Sequence, residues 1–195
     1  MSDIDAAIVR AIERGVRDLD DVRLPLHILL ENQFGDLNDN QLELVGAARD
    51  AAETAAARLR RARDLLTLQA EQLRQELIRP ADVLASLVAS LQSRSAGRGV
   101  RVAADIAAPL PTMRGDRIRL QEALSLVGAA CVAATADRGT LSISASAGDQ
   151  HLVIAFDGGA IDPAEIDTTW AARVVAVHGG TFSVAGPRCE IRLPR

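Results

Sequence analysis

Residues 110–120 read LPTMRGDRIRL, and this stretch decides the fold of the second half of the chain. The prolines on either side of Leu110 predict a rigid connector, because each ring fixes its own φ angle. Asp116 opens the next apolar segment. The apolar residues that follow predict a helix from there to about Thr135.

Alternating and periodic segments on both sides of this helix predict the rest of the domain. In chain order they are a helix that Asp82 can cap and that runs to about residue 94, strands over 100–103, 140–145 and 151–156, a helix over 169–177, and strands over 182–184 and 190–193. The pair around Gly148-Asp149 is typical of a hairpin. Helices mixed with mostly antiparallel strands predict an α+β sandwich.

The first third of the chain predicts two long helices. Apolar residues recur every three or four positions from Ile4 to Leu26, and a second apolar stripe runs from Leu42 to Leu73. The turn-forming residues 34–40 lie between them, and Asn38 or Asp39 can cap the second helix. Such a hairpin cannot bury both apolar stripes by itself, so pairing with a second copy predicts a dimeric four-helix bundle. We expect residues 1–78 to form the hairpin domain and residues 79–195 the sandwich.

The composition excludes several classes of protein. The net charge of −4 over 195 residues does not favour nucleic acid, which requires a clustered basic face. The N-terminus is not a signal peptide, and no apolar run approaches the roughly 18–20 residues of a membrane span. Cys131 and Cys189 have no metal-ligand spacing and are expected to fill the core, so no metal site is predicted. We expect a cytoplasmic protein.

Several short fragments, taken in this order, resemble landmarks of the histidine kinase core over nearly the whole chain. They are Asp20-Asp21-Val22-Arg23-Leu24-Pro25-Leu26, which resembles the phosphoacceptor box; Leu77 to Pro80, which resembles the interdomain linker; Arg98-Gly99-Val100; LPTMRGDRIRL; Asp157-Gly158-Gly159-Ala160-Ile161, which resembles the adenine-binding box; and Val177 to Phe182. The resemblance implies a dimerisation and phosphotransfer hairpin followed by an ATPase-like domain.

The chain departs from this family where the family's chemistry is carried out. Asp20 stands where the family has its phosphoaccepting histidine. Ala130 stands where a metal-binding Asn is expected and Ala133 where a Lys or Arg is common, whereas Asp157 and Gly159 of the adenine box are retained. Carboxylates near the expected phosphate-binding glycines would repel phosphate. The predicted nucleotide site is therefore degenerate, and we expect neither ATP nor magnesium as a cofactor.

His27 is the remaining candidate for chemistry. It follows Asp20 by seven residues, nearly two helical turns, so both side chains share a face about 10 Å apart. In the family that face receives the response regulator, which makes Asp20, Arg23, Leu24 and His27 the candidate partner-binding residues. A neutral imidazole is also a nucleophile near physiological pH, although an ordinary helix histidine has the same pattern.

Three functions therefore stay open. The first is a non-catalytic, dimeric signalling adaptor that binds a response regulator or a histidine kinase. The second is a phosphotransferase that uses His27, similar to the phosphotransferases that resemble degenerate histidine kinases. The third is a histidine kinase that binds ATP weakly. Of the other aromatic and titratable residues, His178 is expected to stabilise a helix end and Trp170 to lie in the core.

Overall fold

The computed structural model of the chain describes residues 3–31 and 35–195. Contacts divide the chain into two units, Met1–Thr67 and Leu68–Arg195. Residues 68–78, which the sequence analysis assigned to the hairpin, group with the second unit. The reason is that Leu68 and Leu73 are buried there and that the following strand pairs within that unit. Phe34 of the predicted loop lies outside the described residues.

The first unit is a helical hairpin. Helix α1 spans Asp3–Leu30 and helix α2 spans Asp39–Thr67. Asn38 caps α2 as predicted: its Oδ1 accepts from Gln41 N at 2.9 Å, and Gln41 Oε1 accepts from Asn38 N at 3.0 Å. Among the described residues of this unit only Ala52 and Ala56 are buried, so the hairpin leaves most of its apolar side chains accessible.

Helix α2 ends earlier than its apolar pattern predicted. The prediction carried the helix to Leu73, but the helix stops at Thr67 and a short 3₁₀ turn, Ala70–Gln72, follows. Gln69 and Gln72 bond reciprocally around that turn and satisfy backbone groups that an α-helix would have paired. The apolar residues beyond Thr67 therefore belong to a different core.

The second unit is an α+β sandwich, as predicted. Its elements are β1 (Glu76–Ile78), α3 (Pro80–Ser95), β2 (Arg101–Ile106), β3 (Met113–Gly115), α4 (Arg117–Ala134), β4 (Thr140–Ala147), β5 (His151–Asp157), α5 (Ile166–Val177), β6 (Thr181–Ala185) and β7 (Arg188–Pro194). Five strands form one sheet in the order β2-β4-β5-β7-β6. Only the β2–β4 pairing in this sheet is parallel.

The helices α3, α4 and α5 pack against one another and on the sheet. Trp170 of α5 is 1% exposed and Phe156 of β5 is fully buried, so both lie in the core that these layers share. Helix α4 opens at Asp116 as predicted, and Asp116 caps it: the carboxylate accepts from Arg119 N at 3.1 Å. Aliphatic side chains supply most of the rest of this core.

Three details differ from the predictions. Helix α3 begins at Pro80, with proline in the first turn, so Asp82 lies inside the helix and is not its cap. Helix α5 begins at Ile166, three residues before the predicted start. The strands β1 and β3 pair with each other in a separate two-stranded ribbon, and neither was predicted as a strand.

Within the described residues, every helix is too short or too polar to cross a lipid bilayer.

Candidate functional site

A groove of about 600 Å³ on the helical hairpin contains the four residues predicted to bind a partner. Their spacing of three and four positions places them on one face of α1. The residues that line the groove are Asp20, Arg23, Leu24 and His27 from α1, and Arg49, Glu53 and Arg60 from α2. The three residues from α2 were not predicted, because which side of α2 faces α1 depends on how the two helices pack.

The Asp20 carboxylate connects the two helices. It accepts a hydrogen bond from Arg23 Nη1 at 2.9 Å and from Arg60 Nη2 at 3.2 and 3.3 Å. Arg23 Nε also lies 3.7 Å from Glu53 of α2. These side chains are partly exposed, so each pair stabilises the hairpin by only about 0–1 kcal/mol. The position that resembles a phosphoacceptor thus carries a fixed negative charge between two guanidinium groups.

His27 occupies the same groove with an accessible imidazole. Its side chain is 58% exposed, and Nε2 lies 3.1 Å from Glu31 Oε1, one turn further along α1. Leu24, also exposed, lies between His27 and the Asp20 ion pairs on the helix face. The groove therefore combines an accessible nucleophile, three guanidinium groups, two carboxylates and an apolar contact.

The retained residues of the adenine-like box have structural roles in the second unit. Asp157, the last residue of β5, accepts a hydrogen bond from Arg188 Nη1 at 2.7 Å. Gly159 faces the end of α4 so closely that a Cβ would lie 2.0 Å from the carbonyl carbon and oxygen of Ala134. The fold itself thus requires glycine at position 159, whereas the exposed Asp157–Arg188 pair contributes only about 0–1 kcal/mol.

The two positions of α4 that resemble the family's metal and phosphate ligands carry alanine. Ala130 is half-buried and Ala133 is exposed on α4, and a methyl group can coordinate neither a metal nor a phosphate. Four residues, 162–165, connect Ile161 to α5. Glu165 occupies the N-cap position of α5 and Asp167 lies in its first turn, so carboxylates stand at the end of the helix that would attract an anion.

Arg98 holds the C-terminal end of α4. Its guanidinium donates to the carbonyl oxygens of Val132 at 2.9 Å, Ala133 at 3.0 Å and Thr135 at 2.8 Å. Its Nε also donates to Asp137 Oδ1 at 2.9 Å. A cation there satisfies carbonyl groups that the helix leaves unpaired. In the sequence, Arg98 is marked only by its place in the family-like fragment Arg98-Gly99-Val100.

His178 joins the end of α5 to the start of α4. Its Nδ1 donates to the carbonyl oxygen of Val174 at 2.7 Å, and its Nε2 accepts from the backbone N–H of Asp116 at 3.0 Å. This arrangement requires the neutral ring with its proton on Nδ1. Burial lowers the pKa of His178 below its usual value, although the hydrogen bond to Val174 opposes that shift. The structural role predicted for this residue is confirmed.

Comparison with solved structures places this architecture among histidine kinases. The crystal structure of full-length ShkA in complex with AMPPNP matches 93% of this chain at 20% identity and a TM-score of 0.70. The histidine kinase AdeS of Acinetobacter baumannii matches 91% at 14% identity and 0.65, and the catalytic domain of the histidine kinase ThkA matches 62% at 11% and 0.55. The matched part of ShkA is 45% of that protein, against 95% of the AdeS chain and 97% of the ThkA chain.

No protein-family profile and no curated protein sequence matches this chain. The structural likeness at low identity shows the fold: a helical hairpin and a mixed sheet arranged as in the histidine kinase core. The resemblance inferred from the short fragments is confirmed at that level.

Proposed function

We propose that this chain is a dimeric, non-catalytic adaptor of two-component signalling, which binds a response regulator receiver domain or a histidine kinase through the hairpin groove. The observation that carries the proposal is that one accessible groove contains Asp20, Arg23, Leu24 and His27 together with two further arginines. Protein-binding surfaces are enriched in arginine and need an apolar contact, and the groove has both. The proposed partners are cytoplasmic, so we place this chain in the cytoplasm.

Binding to purified receiver domains from the source cell tests this role. We expect Leu24→Glu to weaken binding at least tenfold, because a charge would replace the apolar contact. Arg14→Ala is the matched control, since Arg14 is an exposed residue of the same helix outside the groove. Equal affinities for the two variants would contradict docking at the groove.

Self-association is proposed through a stripe on α1. Ile8, Val22 and Leu29 are 44%, 50% and 36% exposed, and their separations are multiples of seven residues. A seven-residue repeat of apolar side chains is the pattern of a helix that packs along another helix. Because the hairpin buries little of its own apolar surface, we propose that this stripe packs against a second copy of the chain.

Light scattering at tens of micromolar tests the dimer. The wild-type chain is expected to have twice the monomer mass and Val22→Glu the monomer mass. Ile118→Glu replaces an apolar residue in the second unit that is 61% exposed, so it should leave the dimer intact. A wild-type monomer would refute the dimer without affecting the groove.

ATP-dependent autophosphorylation is not part of the proposal. A carboxylate at position 20 cannot form phosphohistidine, and neither Ala130 nor Ala133 can hold a metal or a phosphate. The Asp157 carboxylate already accepts from Arg188. Titration calorimetry with millimolar Mg-ATP is expected to give no binding heat, and saturable binding would favour the weak kinase.

A second candidate is phosphotransfer through His27, which the exposure of its imidazole favours. The test is incubation with a receiver domain phosphorylated on its aspartate. Transfer predicts an acid-labile label that disappears in His27→Ala but persists in His151→Ala, which removes an exposed histidine of the second unit. A chain that stays unlabelled would leave the adaptor as the function.

A further inference from the structure

The two cysteines of the chain meet inside the second unit. Cys131 of α4 and Cys189 of β7 are 58 positions apart in sequence, yet their Sγ atoms are 3.7 Å apart and share a hydrogen bond. Both side chains are fully buried and both thiols are free. A cysteine that only fills space needs no second thiol beside it. We propose that Cys131 and Cys189 form a reversible dithiol–disulfide site, oxidised by low-molecular-weight disulfides such as glutathione disulfide, that links α4 to β7.

The geometry requires little movement. A disulfide bond is about 2.05 Å long, so the two sulfur atoms must approach by less than about 2 Å from their present distance. They lie on two elements that pack in the same core, with Phe156 opposite Cys189 in the strand register. Side-chain rotation is the natural source of such a small approach.

The hydrogen bond also couples the ionisation of the two thiols, and either sulfur can be its donor. With Cys131 as the donor, the bond lowers the pKa of Cys189, against the opposing effect of burial, and raises the pKa of Cys131. In that arrangement Cys189 is the first of the two to become a thiolate, which is the nucleophilic form. With Cys189 as the donor the two roles exchange, and the same disulfide forms.

The exchange is balanced in two steps. The Cys189 thiolate attacks one sulfur of glutathione disulfide, forms a mixed disulfide and releases one glutathione thiolate. Cys131 then loses its proton, and its thiolate attacks the Cys189 sulfur and releases the second glutathione thiolate. Two protein thiols and one glutathione disulfide give one protein disulfide and two glutathione thiols. Because both sulfurs are buried, the reagent reaches them only through local opening, so the exchange is slow.

The disulfide would fasten a helix that carries the degenerate nucleotide site. Cys131 follows Ala130 directly, so the bond would fix this part of α4 against the sheet. It would also close a loop of 58 residues, which restricts the unfolded chain. We expect the melting temperature of the second unit to rise by roughly 10 °C on oxidation. Disulfides that form in a reducing compartment are usually transient and serve catalysis or redox sensing.

An equilibrium measurement tests the site independently of reagent access. The full chain is equilibrated in glutathione redox buffers, from the reduced and from the oxidised side, in native buffer and in denaturing urea. After acid quenching and alkylation, intact mass and peptide mapping give the fraction of the 131–189 disulfide. The value of [GSH]²/[GSSG] at half oxidation should be on the order of 100- to 1000-fold higher in native buffer than in urea. A native value equal to or below the urea value would overturn the proposal.

Single-cysteine variants provide the control. Cys131→Ala and Cys189→Ala should each take up at most one glutathione and show no rise in melting temperature. If a variant does not fold, the wild-type chain still tests the proposal, because the melting temperatures of its oxidised and reduced forms can be compared by Trp170 fluorescence. Oxidised protein that melts no higher than reduced protein, or that contains only mixed or intermolecular disulfides, would also refute the site.

Discussion

Replacing Gly159 with alanine should strongly destabilise the second unit even though no nucleotide is involved. The new Cβ would lie 2.0 Å from the carbonyl carbon and oxygen of Ala134 and 2.5 Å from Thr135 N, whereas ordinary contacts begin at 3.4 Å. Backbone must therefore move by about 1.4 Å, since no flexible side chain can move aside instead. Overpacking typically costs about 1–3 kcal/mol, and a clash with backbone belongs at the upper end, about 3 kcal/mol.

Urea unfolding followed by Trp170 fluorescence measures this change. Trp170 is the only tryptophan of the chain and lies in the core of the second unit, so its emission reports that unit alone. With an m-value of about 2 kcal/mol/M, a loss of about 3 kcal/mol lowers the unfolding midpoint by about 1.5 M.

The matched control is Gly97→Ala. A Cβ at Gly97 meets nothing within 4 Å, and its φ angle lies outside the left-handed region, so the midpoint should shift by less than about 0.3 M. Equal midpoints for the two variants would refute the argument that contact with α4 requires glycine at position 159. A loss of stability for Gly159→Ala in the absence of nucleotide would explain why this residue persists beside a degenerate site.

Three further predictions concern polar contacts. Arg98→Ala should destabilise the second unit by about 2 kcal/mol in urea unfolding, and Arg98→Lys by less, because lysine keeps the charge near the C-terminus of α4. The control is Arg94→Ala, at an exposed position of α3, which should have little effect. Equal effects of all three variants would contradict the role of Arg98 at the end of α4. Because the folded-state pKa of His178 is lowered, the stability that this residue contributes is present above a pH of about 6.5 and is lost as the pH falls toward the folded-state pKa. His178→Gln should therefore reduce the dependence of the melting temperature on pH below about 6.5. An unchanged pH dependence would contradict this prediction. Asp20→Asn should destabilise the hairpin by about 0.5–1 kcal/mol, which is measured as faster amide hydrogen exchange in α1 and α2. Unfolding of the second unit, followed by Trp170 fluorescence, should be unchanged. Unchanged amide exchange in the hairpin would show that the ion pair of Asp20 with Arg60 contributes nothing.

Local signals predicted much of the fold. The cap at Asn38, the opening of α4 at Asp116 and the hairpin of β4 with β5 depend on neighbouring residues, and each is confirmed. The predicted end of α2 was wrong because the apolar spacing continues past Thr67 into residues that are buried in the second unit. The strands β1 and β3 have three residues each, and their pairing with each other is a long-range contact that no local pattern contains.

The candidate site could be predicted only on the helix that carries the family-like fragment. Asp20 and His27 share a face because α1 is a regular helix, so their spacing was sufficient. The hydrogen bond from Arg60 to Asp20 could not be predicted, since it depends on how α2 aligns with α1 in the hairpin. The meeting of Cys131 with Cys189 depends in the same way on how α4 packs against the sheet.

The parallel pairing of β2 with β4 has a consequence for the order of folding. The pairs β4–β5 and β6–β7 are hairpins with short connections, so they can form from local segments. Strand β2 can join β4 only after residues 107–139, including the whole of α4, have crossed over, and it lies at the edge of the sheet. We therefore expect β2 to be the last strand of the sheet to gain protection from amide exchange during refolding, and the edge at which native-state opening begins.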